Sequence, residues 1–583
     1  MDSGYCERSL SSPNPIMFPT RSQGHRLLKV LILTVICGLT PLQGTDFQPV
    51  GFRLEDRAVL IAVDEGVRRV RLEARNAETG TWEIVTVAHL DGRAGHMKLR
   101  LPNGLPLSNL RCEISRSDPF PATFYEGSTS FSETADQSNE SRGLINGSGP
   151  EDGTRTDTTT EVTVEESDIW KWRGRILYFF NTYRGLQVFD LTDISNPRRT
   201  ASLRMPAVGE QMYLAGDDHV VLLANNWDNW YGGGGSATSE IILVRHANEE
   251  LAVTDRFEVE GTFVESRMVG STLYAVTRIW EQSQNPDGSW QVRAGLKVYV
   301  IDLADPSNPN QGETLELMGD ENGYFYNAVV SATPDYLFVI PTTYDSTTRS
   351  SRSEVHIIDI SNPEAPLEVR SRIHLRGRLN DKFKLRERDG ILTTITQLSG
   401  NAVAARLTSI ENFDLNATGS ESPPLLGSVT LAPDETVRAT RFDGDRLYVV
   451  TFRQIDPLFM VDLSNPGKPT VLAELDVPGW STYLEPMGPR LLSVGVEDRR
   501  VAVSLFDVEN PETLSMLERV HLGEEDGYSW SEANYNEKAV GLFPDEELLV
   551  LPFSDYTEGA YRTRMQLIDV GMDSLTRRGV ISS

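Results

Sequence analysis

Residues 438–488 read RATRFDGDRLYVVTFRQIDPLFMVDLSNPGKPTVLAELDVPGWSTYLEPMG, and this stretch decides the fold. Its run 447–452 (LYVVTF) is apolar, β-branched and aromatic, too short for a helix, and preceded by the turn signal Asp443-Gly444-Asp445. A second run, 458–463, leads into Ser464-Asn465-Pro466; a third spans 470–477, and Pro478-Gly479 closes the unit. Three short strands joined by tight polar turns form an antiparallel meander.

The signature recurs along the chain. An apolar run ending in Asp-aliphatic, then in most copies a Ser-Asn-Pro turn, stands at 186–197 (LQVFDLTDISNP), 298–309 (VYVIDLADPSNP), 355–363 (VHIIDISNP), 458–466 (LFMVDLSNP) and 503–511 (VSLFDVENP). A degenerate last copy is 565–570 (MQLIDV), and the spacing leaves room for weak copies at 241–245 (IILVR) and 403–407 (VAARL). The interval is about 45–60 residues, the period of four-stranded propeller blades. A lone four-stranded meander cannot cover both its faces, whereas neighbours stacked in a ring cover each other and leave only short edges. Strands covered on both faces should be continuously apolar, as 447–452, 273–277 (LYAVT) and 337–340 (LFVI) are. The expectation is an all-β chain whose residues 161–583 form an eight-bladed β-propeller, with seven blades as the alternative. The Asp190, Asp302, Asp359, Asp462 and Asp507 carboxylates are expected to accept turn N–H groups, five equivalent copies marking a structural device rather than catalysis.

These residues resemble a known family, the secreted β-propeller proteins of bacteria and archaea described as distantly related to WD-40 repeats. Val164-Glu165-Glu166-Ser167-Asp168-Ile169 looks like its opening motif, and Glu265-Ser266-Arg267-Met268-Val269-Gly270 and 437–484 are similar to its consensus. Trp530-Ser531-Glu532-Ala533 and Lys538-Ala539 fit as well, but Asn536-Glu537 stands where the family more often has Asp-His. The resemblance implies fold and export, and no catalytic residues. Relatives often continue beyond the last repeat, so how the ring closes is left open.

Bulk composition narrows the function. A 39% apolar fraction suits a folded chain, and 583 residues exceed one ordinary core, as a repeat array would. A formal net charge of -29 argues against nucleic-acid partners, which need a cationic surface. The acidic excess is spread along the chain, as a solvated surface requires. Residues 1–44 read as a signal-peptide region with a start at Met17, a basic n-region containing Arg21, His25, Arg26 and Lys29, and the apolar run 30–39. Export to the periplasm, cell envelope or medium is expected. Cys37 follows a poor lipobox, so membrane contact by lipidation is the lesser alternative. Of Cys6, Cys37 and Cys112, only Cys112 would remain in the mature chain.

Residues 46–125 carry strand-like runs at 58–63, 67–74, 82–89, 97–101 and 110–114, the spacing of a small β-sandwich of immunoglobulin-like size. Residues 126–160 are Gly/Ser/Thr-rich and read as a flexible linker.

Two groups of side chains are candidates for binding. The second-to-third connections at 225–240, 278–295 and 343–353 are long and bring Trp227, Trp230, Tyr231, Trp280 and Trp290 to one face, where aromatic rings can stack on sugars or clamp a peptide. Packing of these rings on their own loops is the competing account. Around the channel mouth, Glu265, Arg267, Arg438, Arg441, Glu485 and Glu532 lie near the starts of inner strands, where blade-to-blade ion pairing competes with a functional role. The histidines His219, His246, His356, His374 and His521 are scattered, with no metal-ligand spacing, and no metal or cofactor is expected. The reading is a non-catalytic propeller in the cell envelope that binds a protein, peptide or glycan. The alternative is a hydrolase or quinoprotein-like oxidoreductase with its site at the channel mouth.

Overall fold

The computed structural model of the chain describes residues 47–116 and 162–582, with short breaks of which the longest is 227–237. The signal-peptide and linker expectations fall outside the described residues.

Eight antiparallel sheets follow one another along 170–203, 207–260, 262–318, 327–374, 385–431, 436–477, 480–521 and 529–582, here blades 1 to 8. In blade 6 the strands are Thr436–Asp443, Arg446–Phe452, Asp456–Asp462 and Thr470–Val477, paired in sequence order. The third-to-fourth pairing carries a bulge in all blades but the third, the added residue deepening the twist of the outer strand.

The repeated aspartates close the expected turns. Asp190, Asp302, Asp359, Asp462 and Asp507 each accept the N–H two residues on, at 2.8–3.1 Å. Asp414 does the same to Asn416 at 2.9 Å. That bond corrects the reading of blade 5: its third strand is Leu407–Asp414, not 403–407, and its marker is the Asp-Leu-Asn run at 414–416.

Each sequential pair of blades shares a buried apolar cluster, seven clusters for seven interfaces among the described residues. Between blades 6 and 7, for example, Tyr448, Met460, Leu491, Phe506 and Val508 are at most 1% exposed. Blades 8 and 1 share no such cluster among the described residues. The free face of blade 8 leaves Met565 42% and Ile581 56% exposed, and Leu177, Phe179 and Phe189 on blade 1 are half-buried. The wheel is therefore stacked through seven joints, with its ends apposed differently.

The link between those ends is the lead-in strand Val164–Glu166. It does not open blade 1, as the repeat pattern suggests. It adds to the channel-side edge of Thr262–Val269, the inner strand of blade 3, pairing Glu166 with Arg267 and Val164 with Val269. Asp168 then bridges to Met212 on the inner strand of blade 2, and blade 1 begins at Trp170.

Ahead of the propeller, residues 47–115 form a four-stranded and a three-stranded antiparallel sheet. One core, including Ile61, Val70, Leu72, Met97 and Ile114, lies between them, with the free Cys112 buried in it.

Candidate binding site at the channel mouth

The lead-in strand places acidic side chains in the channel, where burial makes each need a cation. Glu166 meets Arg267 at 3.0 Å and also pairs with Lys382, from the link between blades 4 and 5. Arg267 meets Glu265 at 2.7 Å and donates to the carbonyls of Ser266 (2.7 Å) and Val330 (2.5 Å). Lys382 lies 3.7 Å from Glu537 of blade 8, whose neighbour Lys538 donates to the Ser167 carbonyl at 2.7 Å. Burial alone would raise the Glu166 carboxyl, but Arg267 and Lys382 outweigh it and hold it below its ordinary range. At Glu265 burial wins over Arg267 and the carboxyl is raised. Burial also raises Asp168 and lowers Lys538. One short acidic strand thus ties blades 2, 3 and 8 and the link before blade 5 together across the channel.

Beside this cluster opens a cavity of about 750 Å³, lined by the starts of inner strands and by inter-blade links of blades 3 to 8. This size suits a small ligand or a peptide segment. Six cations line it (Arg278, Arg378, Lys382, Lys384, Arg438 and Arg441) against three acids (Glu265, Asp381 and Glu537). In a chain of net charge -29 this lining thus carries twice as many cations as acids. Aromatic rings supply the rest of the wall. Arg438 rests on Phe452, 5.2 Å from its centroid, and Phe452 packs on Trp480 at 5.6 Å. Arg441 lies over Phe383 (4.9 Å) and Tyr483 (5.7 Å). Glu485 accepts from Arg441 at 2.5 Å and from the Tyr483 hydroxyl at 2.6 Å, and burial, with Glu485 beside it, raises the phenol. Asn534, 5% exposed, lines the cavity, and its Oδ1 finds no partner among the described residues.

Of the six channel-mouth candidates, Glu265, Arg438 and Arg441 line this cavity. Arg267 and Glu485 sit behind it as counter-ions, and Glu532 is exposed away from it, its place taken by Glu537. The link 378–384, Trp480, Tyr483 and the segment 533–537 are additions the sequence reading missed. Departure from the Asp-His pattern at 536–537 was the one signal pointing to Glu537. No Ser, Cys or His lines the cavity among the described residues. No group of three His, Cys, Asp or Glu side chains able to hold a metal occurs there either.

The aromatic group fares differently. Trp227, Trp230 and Tyr231 lie outside the described residues. The described residues of the connection 278–295 belong to the extended hairpin Thr272–Gln284 and Trp290–Asp302, and those of 343–353 likewise continue Tyr336–Asp345 and Ser350–Asp359. β-branched and alternating residues carry the pairing outward, so length here signals long strands. Trp280 stands on that hairpin, 48% exposed, and Trp290 pairs with Gln284 in the backbone register.

The profile of the family described as a beta propeller domain matches residues 155–294 and 317–583. An uncharacterized protein of Archaeoglobus fulgidus is 33% identical over 211 residues, which are 36% of this chain and 32% of that one. One from Methanocaldococcus jannaschii is 38% identical over 144 residues, 23% of this chain and 22% of that one. The matches thus span at most about a third of these relatives' length. Among solved structures, the Dos1 propeller (11% identity, TM-score 0.36) aligns with 70% of this chain and 93% of its own. Oligopeptidase B from Leishmania major (11% identity, TM-score 0.34) aligns with 72% and 49%. Neither likeness bears on function.

Proposed function

Because the chain belongs to the beta propeller domain family, we propose that it is a secreted binding propeller of the cell envelope that takes an anionic ligand at the channel mouth. The observation that carries this reading is the cation-rich, aromatic-walled cavity in a chain of net charge -29. Each lining carboxylate has a cation beside it: Glu265 has Arg267, Asp381 has Lys384 and Glu537 has Lys382. Such an arrangement holds charge in place. In this reading the two-sheet unit at 47–115 is an immunoglobulin-like sandwich serving as spacer, and residues 1–44 direct export.

The test is capture from envelope extract by the folded protein, by Trp480→Ala/Arg438→Ala, and by a variant lacking 227–237. Loss of partners in the Trp480/Arg438 variant alone places binding at the cavity. Loss only on deleting 227–237 moves it to the aromatic loop face, and unchanged capture by both variants refutes a binding role for this face.

Glu265 lines the cavity with its carboxyl raised by burial, which favours a second reading, a hydrolase using it as proton donor. Turnover of an envelope polymer that Glu265→Gln abolishes would establish this reading over the first.

A further inference from the structure

The propeller already binds one extended acidic segment at its channel: its own. Val164–Glu166 lies as an added strand on the channel-side edge of blade 3, its Glu165 paired with Lys171 and its Glu166 with Arg267 and Lys382. The main chain gives the pairing and the carboxylates give the charge match. The cavity repeats both halves of this arrangement on the opposite wall, with no strand of the described residues occupying it.

The first half is a strand edge. Trp480–Met487 is the terminal strand of blade 7 and, among the described residues, pairs with Arg490–Glu497 alone. Three consecutive residues of it, Thr482, Tyr483 and Leu484, line the cavity. A bulge falls at Thr482, but beyond it Tyr483 packs toward blade 8 and Leu484 toward blade 6, so neighbours from opposite faces at one wall mean that the edge, with its outward N–H and C=O groups, faces the space. The corresponding edge of blade 6 is more occupied: the Val437 N–H donates to Gln397 Oε1 at 2.7 Å, the Thr440 hydroxyl donates to the Phe383 carbonyl at 2.7 Å, and Arg441 lies over the Phe383 ring. The second half is the charge. Arg438 and Arg441, on neighbouring blade 6, stand beside that edge on aromatic rings, Arg441 bonded to Glu485 of the same strand, and Asn534 brings to the same space a buried oxygen with no partner among the described residues.

We propose that the cavity takes an extended acidic peptide, which adds as a strand to the channel-side edge of Trp480–Met487 and sets its carboxylates against Arg438 and Arg441. This deepens the binding reading above and rests on it. Strand addition supplies sequence-tolerant affinity through the main chain, and alternate side chains supply selectivity.

The test uses the full chain and a fluorescent, end-capped heptapeptide with the sequence of residues 163–169, TVEESDI. Beside it run a version with lysine at its three acidic positions and one N-methylated at alternate backbone nitrogens. Polarisation at low salt should show the acidic peptide binding at least about tenfold tighter than either companion, a difference of about 1.4 kcal/mol. Arg438→Glu, an exposed position tolerant of change, should lose about tenfold for the acidic peptide and gain for the lysine version. Equal binding of the N-methylated peptide overturns strand addition. Equal binding of the lysine version, or none of the acidic one, overturns the peptide. If an oligogalacturonate instead binds in an Arg438-dependent way while no peptide does, the peptide inference falls and the anionic-ligand reading stands.

Discussion

His356 shows how a single side chain sets a pH limit on the fold. It sits on Ser350–Asp359, 4% exposed, and neither ring nitrogen finds a hydrogen bond among the described residues. Burial, with Arg372 and His374 near by, lowers its pKa from 6.5 to about 4, and Glu354, 3.5 Å away, does not restore it. The folded-state value lies below the unfolded one. The stability of the neutral ring is therefore present above the unfolded value and is lost as pH falls through the folded value. At about pH 5 the loss amounts to about 2 kcal/mol. Urea denaturation of wild type and His356→Leu at about pH 7.5 and pH 5 should show the variant gaining on wild type by that amount as pH falls. A parallel shift of both proteins would exclude the buried ring as the cause. The same residue-level logic explains Arg267. With Glu166 and Glu265 both inside contact distance, it is the cation that makes an acidic strand tolerable in the channel, and its two terminal nitrogens each reach one carboxylate and one carbonyl.

At the scale of the blade, the links are where backbone geometry leaves least freedom. Gly479 starts blade 7 at φ +84°, and an added Cβ would stand 2.5 Å from the Val496 carbonyl oxygen and 2.9 Å from Glu497 Cβ. Gly444, in the first hairpin of blade 6, also has a positive φ of +54°, but nothing lies within 4 Å of its would-be Cβ. Gly444→Ala should cost about 1 kcal/mol, the left-handed penalty alone. Gly479→Ala adds a clash with main chain and should cost about 2–3 kcal/mol or more. Chemical denaturation of the pair checks the ordering, and equal losses would show that the link relaxes freely. Pro478-Gly479 was visible in the sequence as a boundary because such geometry demands such residues, and so was each Asp-aliphatic turn with its proline. Blade 5 was read at the wrong residues because its third strand, Leu407–Asp414, carries Thr408, Ser409, Glu411 and Asn412 inside the sheet, and no apolar run marks it. The cavity was legible only in part, for a related reason. Arg438 and Arg441 fall at the start of a recognisable strand, whereas Lys382 and Glu537 come from irregular links whose approach to the channel depends on the curvature of the whole wheel. The lead-in strand was recognisable as a motif, but nothing local tells a three-residue strand to pair with blade 3 rather than open blade 1.

For the whole molecule the unequal joints govern how it opens. Seven interfaces are filled by continuous apolar clusters, each worth many kcal/mol by burial alone. Blades 8 and 1 are instead connected at their inner ends, through Lys538 on the Ser167 carbonyl and Lys382 between Glu166 and Glu537. Their facing sheets keep Met565, Ile581 and Trp172 exposed by 42%, 56% and 60%. A blade stacked on one side only has about half the apolar cover of one stacked on both, so local opening should begin there. Hydrogen exchange on the native protein should find the strands of blades 1 and 8 exchanging well before those of blades 4, 5 and 6. Lys538→Met, which removes the bond to Ser167 but keeps the side-chain bulk, should accelerate exchange in blades 1 and 8 by about tenfold while leaving blades 4 to 6 within about twofold. Uniform protection around all eight blades would mean that the last joint is as strong as the others, and acceleration spread over every blade would mean that the wheel opens as one unit rather than from its ends.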